Sequence, residues 1–72
     1  MTDHQCRAMI DKLHGLCRFV QEAATHEREA TVLTAVLSTS LLGVLEFAEA
    51  QHPLVVSAAD WSTVKHFLSL TS

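Results

Sequence analysis

At 72 residues the chain is one small domain at most, and an apolar content of 49% excludes a disordered polymer. Five Lys and Arg residues against eight Asp and Glu residues leave a formal charge of −3, and the cations are scattered at Arg7, Lys12, Arg18, Arg28 and Lys65. Without a basic stripe to displace counterions from phosphate, direct nucleic-acid binding is disfavoured.

Gly occurs only at Gly15 and Gly43 and Pro only at Pro53, while Ala and Leu are abundant. So few breakers predict helix throughout, an all-α fold. The first helix is expected over about residues 3–25, with Asp3 as its cap. Cys6, Ile10, Leu13, Cys17, Val20 and Ala24 recur at alternating spacings of four and three, a regular helical stripe. His4, Arg7, Asp11, Arg18 and Glu22 fall on the other side, and Arg7–Asp11 and Arg18–Glu22 are candidate i, i+4 pairs.

The segment "THEREA", residues 25–30, carries three charges and interrupts the stripe. When apolar residues resume at Leu33, the stripe has rotated by roughly a third of a turn at ~100° per residue. That offset predicts a turn near residues 25–28 and an antiparallel pairing of the first two helices.

The second helix is expected over about 28–51. Its apolar centre line is Ala30, Leu33, Leu37, Leu41, Val44 and Ala48. From Ala30 to Leu45 no residue is charged. A membrane span needs ~20 mostly apolar residues. This run is shorter, holds Thr34, Ser38, Thr39 and Ser40, and is bracketed by Glu29 and Glu46. It therefore reads as a core helix, not a bilayer span. Opposite its centre line lie Ala35, Ser38, Thr39, Leu42 and Gly43, small and uncharged where a solvated face is normally charged. These five are the candidate protein interface, unless the third helix folds back over them.

Pro53 ends the second helix. Ser57 followed by Asp60 resembles a capping box that opens a short third helix at about 58–70. Trp61, Val64 and Leu68, with Phe67 alongside, form its stripe, and Trp61 is the expected docking anchor.

Chemistry is sparse. No two of the five histidines (His4, His14, His26, His52, His66) are four apart and there is no CxxC, so no metal or other cofactor is expected. His14 with Cys17 is at most half a site. Their phases differ, which makes His14 a surface residue and Cys17 a core one. Cys17 has no evident base and partner to activate it as a nucleophile. On one helix Cys6 and Cys17 lie about 16 Å apart, too far for a disulfide. No catalytic pair or phosphate loop appears, and an enzyme is not expected. The N-terminus lacks the basic start and apolar core of a signal peptide, which suggests a reduced, cytoplasmic protein.

The sequence thus predicts a helical hairpin plus a short third helix, completed by homodimerisation. Its expected role is to bind another protein, as an inhibitor, anti-activator or accessory regulator of bacterial or phage type. The alternative is a structural subunit of a larger assembly.

Overall fold

The computed structural model describes residues 1–23 and 28–70. Among them are three helices and no strand: α1 (Asp3–Ala23), α2 (Arg28–Gln51) and α3 (Ala58–Ser69). The expected turn near residues 25–28 falls outside the described residues, except for Arg28, where α2 begins. The long dimension is 38 Å, close to the ~36 Å of a 24-residue helix. The helices therefore set the length of the molecule.

The start of α1 is a capping box one residue earlier than the sequence suggested. The Gln5 backbone N–H donates to Thr2 Oγ1 (3.1 Å), and the Thr2 N–H donates to Gln5 Oε1 (2.9 Å). Asp3 is the first helical residue. Its carboxylate instead accepts a hydrogen bond from Nδ1 of His52, just past the end of α2. Midway along, the Cys17 thiol lies beside the Ser38 hydroxyl.

The core is built from Cys6, Ile10 and Cys17 of α1, Leu41, Leu45 and Ala48 of α2, and Val64 and Phe67 of α3. Cys6, Ile10, Cys17 and Val20 are buried as the spacing predicts, Leu13 is half-buried against the core, and Ala24 lies outside the described residues. Both cysteines are free and buried, and burial pushes the Cys17 thiol above its ordinary pKa, partly offset by Ser38. Gly15 lies on the exposed side of α1, and a Cβ there would meet nothing within 4 Å. Gly15→Ala should therefore stabilise the fold by about 0.5–1 kcal/mol through backbone entropy and helix propensity. A chemical melt checks this.

The buried line of α2 departs from the apolar centre line. It runs Thr34, Ser38, Leu41, Leu45, Ala48, whereas Leu33 is 47% exposed and Leu37 and Val44 are only half-buried. Two hydroxyl residues have taken inward positions that periodicity assigned to leucines. They can do so because the helix satisfies them. Thr34 Oγ1–H donates to the Ala30 carbonyl (2.9 Å), and Ser38 Oγ–H donates to the Thr34 carbonyl (2.7 Å). A hydroxyl bonded to its own helix backbone is buried without an unmet donor.

The stripe of α3 is likewise turned. Asp60, Val64 and Phe67 are buried, while Trp61 and Leu68 are half-buried against the core. Trp61 still docks the helix, since its indole N–H donates to Glu49 Oε2 (3.0 Å). The rotation follows from Asp60, which is drawn inward by partners on α1.

Candidate functional site

The densest polar chemistry is centred on Asp60, which is only 5% exposed. Asp60 sits in the first turn of α3, where a carboxylate complements the helix dipole. Its Oδ2 accepts from the Ser57 backbone N–H (2.9 Å) and the Ser57 hydroxyl (3.2 Å). Arg7 on α1 grips it with two parallel bonds, Nη1 to Oδ2 and Nη2 to Oδ1, both 2.8 Å. Arg7 Nη1 also donates to the Val55 carbonyl (3.1 Å), and Nη2 to Asp11 (2.7 Å), the expected i, i+4 partner. His14 Nε2–H donates to Asp60 Oδ1 (3.0 Å).

Arg7 holds the Asp60 carboxyl far below the usual carboxylate range, outweighing the opposing effect of burial. A bidentate Arg–carboxylate pair is strong and orientation-specific. Here it ties the N-terminus of α3, and the loop before it, to α1. His14 is thus not the surface residue its position on α1 suggested. It is half-buried, and its Nδ1 is buried without a partner among the described residues. Among the described residues no group of three His, Cys, Asp or Glu side chains is placed to hold a metal ion.

The five residues expected to form an interface do not share one environment. Ser38 is fully buried inside the chain, beside Cys17. Ala35 and Leu42 are half-buried, and Leu42 packs against the core. Only Thr39 and Gly43 are exposed. The Ser38–Leu42 edge of α2 is the edge from which Glu49 reaches Trp61 of α3.

The exposed apolar surface lies elsewhere. Leu16 (44%) and Phe19 (70%) stand out from α1, and Leu33 (47%), Val36 (55%) and Phe47 (54%) from α2. Five of the 24 residues of α2 are buried, far fewer than a core helix would show. By length and composition α2 also meets the requirement for a membrane-crossing helix, with a mean hydropathy of 1.7 over its most apolar window, of which 22% is buried. Between α1 and α3 runs an open groove of about 420 Å³, lined by Arg18, Gln21, Ser62, Thr63, His66 and Phe67. Its two cationic or potentially cationic groups, Arg18 and His66, are both exposed.

Sequence reasoning missed both the Asp60 centre and the outward apolar face. Ser57 and Asp60 were legible as a cap, but a cap motif says nothing about a partner on α1. No protein-family model, curated protein or solved structure matches this chain.

Proposed function

We propose that this chain is a non-enzymatic interaction module, an inhibitor, anti-activator or accessory regulator that works by presenting a helical surface to another protein. The observation that carries the reading is the outward face of α1 and α2, where aliphatic and aromatic side chains stand in solvent. Surface apolar residues scattered singly need no explanation, but a contiguous patch of several hundred Å² marks an interaction site. The reversed order of contacts along α1 and α2, Asp3 with His52 and Cys17 with Ser38, supports an antiparallel hairpin as the scaffold. The polar groups of the Asp60 centre are used up in joining helices, which leaves them poorly suited to turnover. The membrane reading of α2 is weaker than the interaction reading, because α2 is packed into the core of the chain through Leu41, Leu45 and Ala48 and carries buried hydroxyls at Thr34 and Ser38.

The test is affinity capture from native-host extract with wild-type protein and with Phe19→Glu and Val36→Glu variants in parallel. Capture of the same protein by the wild type, and its loss in both variants, supports the reading. Capture unaffected by both variants, or none at all, counts against it. A wild-type chain that aggregates unless co-expressed with a partner would favour the structural-subunit alternative.

A further inference from the structure

The layer made by α1 and α2 has two sides, and α3 closes one of them. Arg7 and His14 of α1 reach Asp60 of α3, and Glu49 of α2 reaches Trp61. At ~100° per residue, Leu16 and Phe19 lie across the buried line of α1 from Arg7 and His14. On α2, Leu33, Val36 and Phe47 lie across the buried line from Leu42 and Glu49. All five therefore project from the side that α3 leaves open, and none was part of the interface expected from sequence. The Asp3–His52 and Cys17–Ser38 contacts fix the register, placing Phe19 level with Val36 and Leu16 level with Thr39. From the level of Phe47 to that of Leu33 the face runs about 20 Å at ~1.5 Å per residue.

We propose that a second copy of this chain covers this face, two α1–α2 layers packing across a two-fold axis to enclose a four-helix core with an α3 on each outer side. The proposal rests on the interaction reading above and names the occupant of the surface. Area is the first argument. A fully exposed aromatic residue presents about 150–250 Å². At the exposures above, and with smaller areas for the aliphatics, the five residues offer roughly 500 Å² of accessible surface. A standard interface takes about 800 Å² from each partner and is about 65% apolar in homodimers. The open face therefore supplies the apolar share of an ordinary dimer interface and little more.

Polar satisfaction is the second argument. Ser40 lies within the face, and its hydroxyl already donates to the Val36 carbonyl (2.9 Å); at the rim, Thr39 donates to the Ala35 carbonyl (2.9 Å). Both can be covered with no donor left unmet. Ser40 also leaves a shallow position between Val36 and Phe47. A two-fold axis along the helices brings the partner's Leu16 near it, because Leu16 is level with Thr39, one residue and ~1.5 Å along α2.

Charge is the third. Asp11, Glu22, Glu46, Glu49 and Asp60 lie off the face by helical phase, whereas Glu29, in phase with Phe47, stands about one turn beyond Leu33 at the end of the face. Lys12, between Leu16 and Phe19 by helical phase, is a cation within the face, and the same axis sets it level with Gly43 of the partner. Two copies of net charge −3 thus meet with their acids away from the middle of the face and a lysine from each within it. A lipid surface would call for several cations on this rim.

The experiment is sedimentation equilibrium on the full chain at micromolar concentration, together with melting at several concentrations. The expected result is a mass twice the 7.9 kDa of the chain and a melting temperature that rises with concentration. Phe19→Glu and Phe47→Glu should shift the mass to that of one chain with helical circular dichroism retained. Leu54→Glu, at a 93% exposed residue off the face, should remain dimeric. A wild-type mass of one chain with a concentration-independent melt overturns the proposal. So does a dimer that survives both phenylalanine variants. If the chain is monomeric and Phe19→Glu abolishes capture of a different protein, self-pairing fails while the interaction reading stands. Recruitment to phosphatidylcholine or phosphatidylglycerol vesicles by a monomeric wild type overturns both. Should the variants lose helix content, the wild-type melting series alone decides.

Discussion

Asp60→Ala should destabilise the chain by about 2–3 kcal/mol, because it leaves the His14 and Ser57 donors unmet and cuts Arg7 back to Asp11 and the Val55 carbonyl. The carboxylate accepts from Arg7 twice, from His14, and from the backbone and hydroxyl of Ser57. A domain of this size holds roughly 4–11 kcal/mol in all, at ~0.05–0.15 kcal/mol per residue. The loss is therefore a large share of the total. It should fall first on α3, whose Val64 and Phe67 reach the core only while the N-terminus of the helix is pinned. Urea unfolding of Asp60→Ala, Arg7→Ala and the double variant gives the coupling between the two residues. A coupling near zero would mean that packing of Val64 and Phe67 holds α3 without the ion pair.

The same centre fixes the direction of the acid response. The Asp60 carboxyl titrates well below its unfolded value when folded. Its contribution is thus fully present above the ordinary carboxylate pKa of ~3.9 and fades as pH falls from there towards the lower folded value. Wild type and Asp60→Asn should differ in stability by a constant amount from neutral pH down to mildly acid conditions. The gap should narrow only in strong acid, as denaturant midpoints across that range would show.

The three helices were legible because their signals are local. Pro53 stops α2, Ser57 and Asp60 open α3, and the four-three spacing of Cys6, Ile10, Leu13, Cys17 and Val20 needs no knowledge of the rest of the chain. What failed was the rotational setting of α2 and α3, and both errors have one physical source. Periodicity assigns the largest aliphatic residues to the inside, and it ranks Thr34, Ser38 and Asp60 as surface. Yet a hydroxyl satisfied by its own helix, or a carboxylate satisfied by an arginine on another helix, costs little to bury. The second case cannot be read from α3 at all, since Arg7 lies 53 positions away. Once Ser38 faces Cys17, Leu33 and Val36 must turn outward. The exposed apolar surface of α2 then lies on its aliphatic edge and not on its small-residue edge.

That inversion gives the sharpest contrast between two substitutions on one helix. Ser38→Lys should abolish folding, while Leu33→Lys should leave the isolated chain within about 1 kcal/mol of wild type. By hydrophobicity alone the ranking would be the reverse, with the leucine essential and the serine free to change. Ser38 has no exposed surface. It lies against Cys17, and a lysine there has neither room nor a carboxylate to pair with. Burying an unpaired ammonium costs several kcal/mol, and forcing extra methylenes into packed space adds about 1–3 more. Together these approach or exceed the stability of so small a domain. Leu33 is nearly half exposed, and a lysine can lay its stem along α2 with the charge in water. Surface changes away from a structural feature cost roughly 0.5 kcal/mol or less, and the lost partial contact of Leu33 adds a little. The comparison belongs at low protein concentration, where pairing between chains does not contribute. Circular dichroism and a thermal melt of each variant separate the outcomes. A folded Ser38→Lys with a collapsed Leu33→Lys would restore the aliphatic centre line as the core and place the hydroxyl edge of α2 at the surface.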